Sequence, residues 1–116
     1  MGNENRPRNG PLTPIQDAVL KGVMDGKRQR ELAKELNVRE GYVSGELGLA
    51  TAKMGGRTTV EAACRRATAE AYIAAAELLE RNLPASPEDN LANAHVHHIM
   101  DGIAEILRGR AARLLP

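Results

Sequence analysis

Two helices joined by an abrupt turn are predicted by residues 28–54, which read RQRELAKELNVREGYVSGELGLATAKM. Leu32 and Leu36 lie at the spacing of one helical face, and a second apolar series begins with Val43 and Leu47. The turn between the two series is too short for anything except a sharp change of direction. That geometry defines a helix-turn-helix.

A capping motif predicts another helix before this stretch. Thr13 can cap the helix, Pro14 suits its first turn, and Gln16 completes a capping box that reaches back to Thr13. Gly26 provides the stop, because glycine readily adopts the left-handed conformation that ends helices. Within the quoted stretch, the second helix is expected over about 28–36 and the third over about 40–54.

Two further helices are predicted after the quoted stretch. Thr58 and Glu61 form a second capping box, and no helix breaker follows until Pro84, so the fourth helix is expected to run about 25 residues. Ser86 and Pro87 are a typical start for a fifth helix. The alanine-rich fourth helix predicts a closely packed antiparallel hairpin with the fifth.

Apolar stripes on the last two helices predict a homodimer, because they offer more apolar surface than one short chain can cover. Cys64 falls on the stripe of the fourth helix, so it is expected to be buried. The residues assigned to the dimer contact are Ala67, Ala71, Ala74, Leu78, Val96, Ile99, Ile103 and Ile106.

The composition predicts an all-α protein of the cytoplasm. The 116 residues include one cysteine, no tryptophan and no phenylalanine, which excludes an internal disulfide and leaves a core of aliphatic side chains. No signal peptide, membrane anchor or spanning segment is evident. We expect a disordered arm over 1–11, a helix-turn-helix domain over 12–66 and a helical extension over 67–116, the dimerisation hairpin.

No residue pattern indicates catalysis, a cofactor or a metal. The chain has no phosphate-binding glycine loop after a strand and no nucleophile and base in plausible register. His95, His97 and His98 cluster in the fifth helix, but no second group of ligands accompanies them. We therefore interpret these histidines as surface or interface residues, with a pH-sensitive interface as the alternative.

Charge is distributed unevenly, although the net charge is only +1. Residues 1–57 hold ten Lys and Arg against seven Asp and Glu, which gives +3, and residues 58–116 hold six against eight, which gives −2. A basic front half and an acidic back half fit separate binding and assembly surfaces, and they also fit an ordinary solvated surface.

From Leu12 to Ala63 the chain resembles the LuxR-type (GerE-like) helix-turn-helix of bacterial regulators. The resemblance rests on Leu12-Thr13-Pro14, Val19-Leu20, Gly26, Glu31-Leu32-Ala33 with Leu36, Val43, Leu47, Lys53-Met54-Gly55, Thr58, Glu61 and Ala62. Region 4 of bacterial sigma factors has a similar second and third helix. The resemblance implies a four-helix domain that binds double-stranded DNA with its third helix in the major groove.

The third helix departs from the family in its base-facing positions. The resemblance assigns these positions to Ser44, Gly45 and Gly48, where the family has polar or basic side chains, and Glu46 adds a negative charge. With Gly41, the glycines cost the helix roughly 3 kcal/mol in propensity relative to alanine. A surface of serine and glycine reads few bases through hydrogen bonds.

Two functions remain open from the sequence. The first is a small DNA-binding transcription regulator that gains affinity mainly from phosphate contacts and selectivity from DNA shape. Its expected contact residues are Arg28, Gln29, Arg30, Arg39, Tyr42, Ser44, Gly45, Gly48, Lys53 and Arg57. The second is an adaptor that uses the same helix to bind a protein, such as a component of transcription, without reading DNA.

Overall fold

The computed structural model describes residues 9–83 and 91–116, and within these residues the chain has five helices and no strand. This confirms the all-α prediction. The helices are α1 Pro14–Met24, α2 Gln29–Leu36, α3 Glu40–Met54, α4 Thr59–Arg81 and α5 Leu91–Leu114. The predicted breaker at Pro84, the predicted helix start at Ser86 and most of the predicted N-terminal arm lie outside the described residues. No described helix is long and apolar enough to cross a membrane.

The first helix begins with the predicted capping box. The Thr13 amide donates to Gln16 Oε1 at 3.0 Å, and the Gln16 amide donates to Thr13 Oγ1 at 3.3 Å. These two bonds satisfy backbone donors that the first turn leaves without a helical partner. The chain then leaves α1 through Gly26, whose φ of +79° suits glycine.

The turn between α2 and α3 is closed by backbone hydrogen bonds. Asn37 ends α2 in the left-handed conformation, with φ 56° and ψ 48°. This conformation lets the Val38 amide donate to the Ala33 carbonyl at 2.9 Å. An asparagine tolerates left-handed backbone better than most residues, so the chain reverses without a glycine here. These hydrogen bonds therefore fix the conformation of the turn between α2 and α3.

Contacts divide the described chain into two compact units, one of residues 9–67 with 114–116 and one of residues 68–113. In the first unit, α1 and α2 both pack against α3. The apolar positions predicted for α3, Val43 and Leu47, are both buried, so this part of the prediction is confirmed. The core consists of Val19, Leu20, Leu32, Ala33, Val43, Leu47, Ala50, Met54, Ala62 and Ala63.

Two polar contacts join helices that are far apart in sequence within the first unit. Gln16 Nε2 donates to Glu46 Oε2 at 3.1 Å, and both residues are buried. Arg66 of α4 donates to both carboxylate oxygens of Asp17 of α1, at 2.6 and 3.0 Å. The Arg66 side chain is only 10% exposed, whereas that of Asp17 is 50% exposed. These contacts fix the rotation of α3 and α4 against α1.

In the second unit, alanines are the residues that become buried. Ala69 and Ala76 of α4 are seven residues apart, as are Ala104 and Ala111 of α5, and all four are at most 2% exposed. Small side chains at this spacing allow helices to approach closely. At the surface, Arg108 of α5 donates to Glu80 of α4 at 2.6 Å.

The expected burial of Cys64 is wrong, because its thiol is exposed. The buried side of α4 is instead the one that carries Ala62 and Arg66. Alanine occurs on several sides of α4, so its spacing alone does not reveal which side faces inward. Pairing of Arg66 with Asp17 turns that side towards α1, and the stripe that contains Cys64 therefore points outward.

We expect Asp17→Asn to lower the free energy of unfolding by about 1–2 kcal/mol, because it removes the charge that Arg66 meets in a largely buried position. Urea denaturation followed by circular dichroism measures the change. The matched control is Glu61→Gln, which weakens the half-exposed pair of Arg65 with Glu61 and should cost less than about 0.5 kcal/mol. Equal losses in the two variants would contradict a structural role for the Asp17 pair.

Candidate nucleic-acid interface

The outer side of α3 carries no side chain larger than that of serine. Its residues are all exposed, and we call this surface the small-residue face; it consists of Gly41, Ser44, Gly45, Gly48 and Ala52. Four of these residues, together with the partly buried Leu49, line a shallow groove of about 320 Å³. The buried side of the same helix points into the core, so the first unit presents this face to solvent.

No contact within the described part of the chain requires the three glycines of this face. A Cβ built on Gly41, Gly45 or Gly48 has no neighbouring atom within 4 Å, and none of the three has a positive φ. By contrast, a Cβ on Gly22 of α1 would lie 2.1 Å from Leu32 Cδ2. Gly22 is therefore explained by packing. The α3 glycines leave the backbone open to an approaching molecule and cost helix propensity.

Glu46 does not contribute charge to this face, contrary to expectation. The structure buries its side chain, 1% exposed, against Gln16. A glutamate two residues from Ser44 and two from Gly48 lies on the opposite side of the helix, since each residue rotates the chain by about 100°. The small-residue face is therefore neutral, which removes a repulsion that would oppose a polyanion.

Arginines stand at the start of both helices of the motif. Arg28 is the N-cap of α2 and Arg39 is the N-cap of α3, and neither side chain makes a cap hydrogen bond, since a guanidinium has no acceptor. Glu31 instead accepts from the Arg28 amide at 3.3 Å. Both arginines are exposed, so positive charge adds to the positive ends of two helix dipoles.

The other predicted cations differ in their exposure to solvent. Arg30 and Arg57 are exposed, as is the neutral Gln29. Lys53 is partly buried, and its Nζ donates to the Pro11 carbonyl at 3.0 Å. It lies on the flank of α3 rather than on the small-residue face, and it ties the chain entering α1 to the end of α3.

Lys27 has its own acidic partner and was not among the predicted contacts. Its Nζ donates to Glu35 Oε2 at 2.9 Å, and this hydrogen bond raises the pKa of Lys27 above its ordinary value. The pair neutralises charge beside Arg28. The exposed arginines are therefore the stronger anion-binding candidates at this end of α2.

An open cleft of about 740 Å³ lies at the beginning of α3. It is lined by Ile15 and Val38 on its apolar part and by Arg39, Gly41 and Tyr42 of the α3 start. Tyr42 is 40% exposed. Tyr42 and Arg39, which the sequence assigned to DNA contact, therefore lie together at one end of the small-residue face, whereas Lys53 lies at the other end of α3.

Gly41 and Ala52 belong to the face but were missed as site residues; the 3.6-residue helical period counted from Gly45 and Gly48 identifies them.

Seven of the eight residues assigned to dimerisation are exposed. Ala71, Ala74 and Leu78 of α4 are exposed and Ala67 is partly buried. On α5 the exposed fraction is 44% for Val96, 46% for Ile99, 43% for Ile103 and 59% for Ile106. Leu107, the residue after Ile106, is partly buried.

The histidine cluster of α5 does not come together with other metal-ligating side chains. His95 and His98 are exposed and His97 is partly buried. Among the described residues, no group of three or more His, Cys, Asp or Glu side chains is placed to hold a metal ion.

Comparison of the chain with family models, with curated proteins and with solved structures gives no match. The resemblance to the LuxR type thus rests on the residues quoted for it, and the candidate interface rests on the geometry of α2 and α3.

We expect Gly45→Ala to raise the free energy of unfolding by about 0.5–1 kcal/mol, because the added methyl meets open space and alanine favours the helix. Gly22→Ala is the control, in which the methyl overlaps buried Leu32 and should cost about 1–3 kcal/mol. Thermal and urea unfolding measure both. A destabilised Gly45→Ala protein would mean that the outer side of α3 is packed rather than open.

Proposed function

We propose that this chain is a small regulator of transcription that binds double-stranded DNA through a LuxR-type helix-turn-helix. The observation that carries the proposal is the uncovered outer face of α3, free of protruding side chains and headed by an arginine. In this function α3 enters the major groove and α2 crosses the sugar-phosphate backbone. A regulator of this kind works in the cytoplasm of a bacterium.

Phosphate contacts supply the affinity. Arg28 and Arg39 each combine a full positive charge with the positive end of a helix dipole, an arrangement that attracts phosphate oxygens. Neither arginine forms an ion pair within the described residues. Arg30 and Arg57 add charge at the surface, and no acid of the described residues is ion-paired with any of the four arginines.

The small-residue face determines how α3 meets the groove. Without long side chains, its backbone can approach the base edges more closely than an ordinary recognition helix. Ser44 is the only residue of the face with a hydrogen-bonding side chain, so direct reading of bases is limited. Selectivity then comes from groove shape and from Tyr42 and Arg39 at the helix start. Such a protein binds many sequences with a strong dependence on salt.

The same face favours a second candidate function, which is docking of a protein. A smooth helix surface with a single hydrogen-bonding side chain, that of Ser44, packs well against another helix, because small residues permit close contact. An adaptor would use the face in this way. Its arginines would then contribute little to binding, and that difference separates the two functions.

We expect the double variant Arg28→Ala and Arg39→Ala to bind random-sequence duplex DNA at least about tenfold more weakly than the unchanged protein at low salt. Loss of two phosphate contacts should also reduce the slope of log affinity against log salt by about 2. Fluorescence anisotropy over a salt series measures both quantities. Arg81→Ala removes an exposed arginine at the end of α4 and should leave affinity and slope unchanged.

A second variant tests the face itself. Gly45→Glu places a carboxylate in open space on α3 and should abolish DNA binding while circular dichroism remains unchanged. Absence of DNA binding by the unchanged protein at every salt concentration would reject the proposed function and support the adaptor. Loss of binding in the Arg81→Ala control would show that attraction of DNA is not localised on the helix-turn-helix.

A further inference from the structure

The largest run of exposed, bulky apolar side chains in the described chain lies on α5. Its members, which we call the α5 stripe, are Val96, Ile99, Ile103 and Ile106, each 43–59% exposed. Their spacing of three, four and three residues is the spacing by which one helix presents a seam to another. We propose that a second copy of this chain binds the α5 stripe through its own α5 stripe, with the two helices antiparallel.

Among the described residues, no member of the α5 stripe is buried. The buried positions of α5 are Ala104 and Ala111, which lie roughly 100–120° around the helix from the centre of the stripe. The α5 stripe consequently stays exposed, while Ala104 and Ala111 are buried. Four branched side chains at half exposure form a contiguous apolar patch, and patches of this kind mark association surfaces in soluble proteins.

The position of Arg110 favours the antiparallel orientation. Arg110 follows Ile103 by seven residues and therefore continues the line of the stripe. Parallel copies would meet residue for residue and would place two Arg110 guanidinium groups against each other. Antiparallel copies pair Ile99 with Ile103 and Val96 with Ile106, and Arg110 then lies over the small Ala92 of the second copy, from where its charge reaches water.

Glycines beside the stripe allow a second helix to come close. Gly102 and Gly109 are seven residues apart on one flank, and a Cβ built on either has no neighbour within 4 Å. A shallow groove runs along this flank and is lined in part by Ile106 and Arg113. In the antiparallel arrangement Gly102 of one copy lies beside Gly102 of the other, and Gly109 lies beside His95.

These features are self-complementary, which argues for a second copy rather than an unrelated partner. One two-fold axis near residue 101 satisfies the apolar pairing, the placement of Arg110 and the glycine flank at once. The stripe of α4 lacks these properties, because within the second unit it consists of Ala71, Ala74 and Leu78 and offers one bulky side chain. The α5 stripe therefore supplies the dimer contact, and α4 does not.

The first test is the oligomeric state of the full chain, without DNA, by sedimentation equilibrium at protein concentrations on the order of 10 micromolar and below. We expect a dimer whose dissociation constant rises by at least about tenfold in Ile103→Glu, because a carboxylate would be buried at the seam. Ile106→Glu, at the most exposed member of the stripe, should act in the same way and guards against a folding defect specific to position 103.

Leu78→Glu is the matched control, since Leu78 is 55% exposed on α4 and should leave the dimer intact. A monomeric unchanged protein overturns the proposal, and so does a dimer that Leu78→Glu disrupts while both α5 variants leave it unaffected. The outcome is independent of the proposed function, because a protein that never binds DNA still dimerises through this surface.

The second test determines the orientation with a short thiol cross-linker in a Cys64→Ser background. Gly102→Cys should cross-link between copies because both residues lie near the two-fold axis. Gly109→Cys should not do so alone, since antiparallel copies hold its two thiols roughly 20 Å apart. A mixture of Gly109→Cys and His95→Cys proteins should cross-link. Efficient cross-linking of Gly109→Cys by itself would show a parallel dimer and overturn the antiparallel assignment.

Discussion

The first unit depends on the packing of one side of α3. Val43, Leu47, Ala50 and Met54 pack with residues of α1 and α2, and each of the four is at most 4% exposed. Burial of these side chains is the main source of stability for a helix weakened by three glycines. Because this inner side is fully occupied, the outer side is left free, and it is the outer side that carries the candidate function.

The two polar contacts across the first unit determine how the packed helices are rotated about their axes. Apolar burial is nondirectional and tolerates rotation of a helix, whereas the Gln16–Glu46 hydrogen bond and the Arg66–Asp17 pair each require one orientation. The first contact removes an acid from the surface that would face a polyanion. The second turns Cys64 and the α4 stripe outward. Two side-chain contacts thereby shape both the charge and the exposed surface of the molecule.

Separate surfaces emerge from this arrangement. The small residues and arginines of α2 and α3 form the first surface, in the first compact unit. The bulky apolar α5 stripe forms the second surface, in the second unit. The chemistry of the two is opposite, since the first offers charge around an open backbone and the second offers branched hydrocarbon. A regulator that binds DNA in pairs needs both kinds of surface on one chain, and the two can be tested independently.

Local interactions in the sequence were sufficient to predict the helices. The capping box at Thr13, the stop at Gly26 and the turn after Leu36 act within a few residues, and large aliphatic residues mark the inner side of α3 without ambiguity. The residues of the candidate interface came instead from the resemblance to the LuxR type. Alanine-rich α4 could not be assigned in this way, because several of its sides are equally small. Burial of the polar Glu46 and Arg66 was decided by contacts over 30 and 49 residues, since a polar side chain enters a core only where a distant partner meets it.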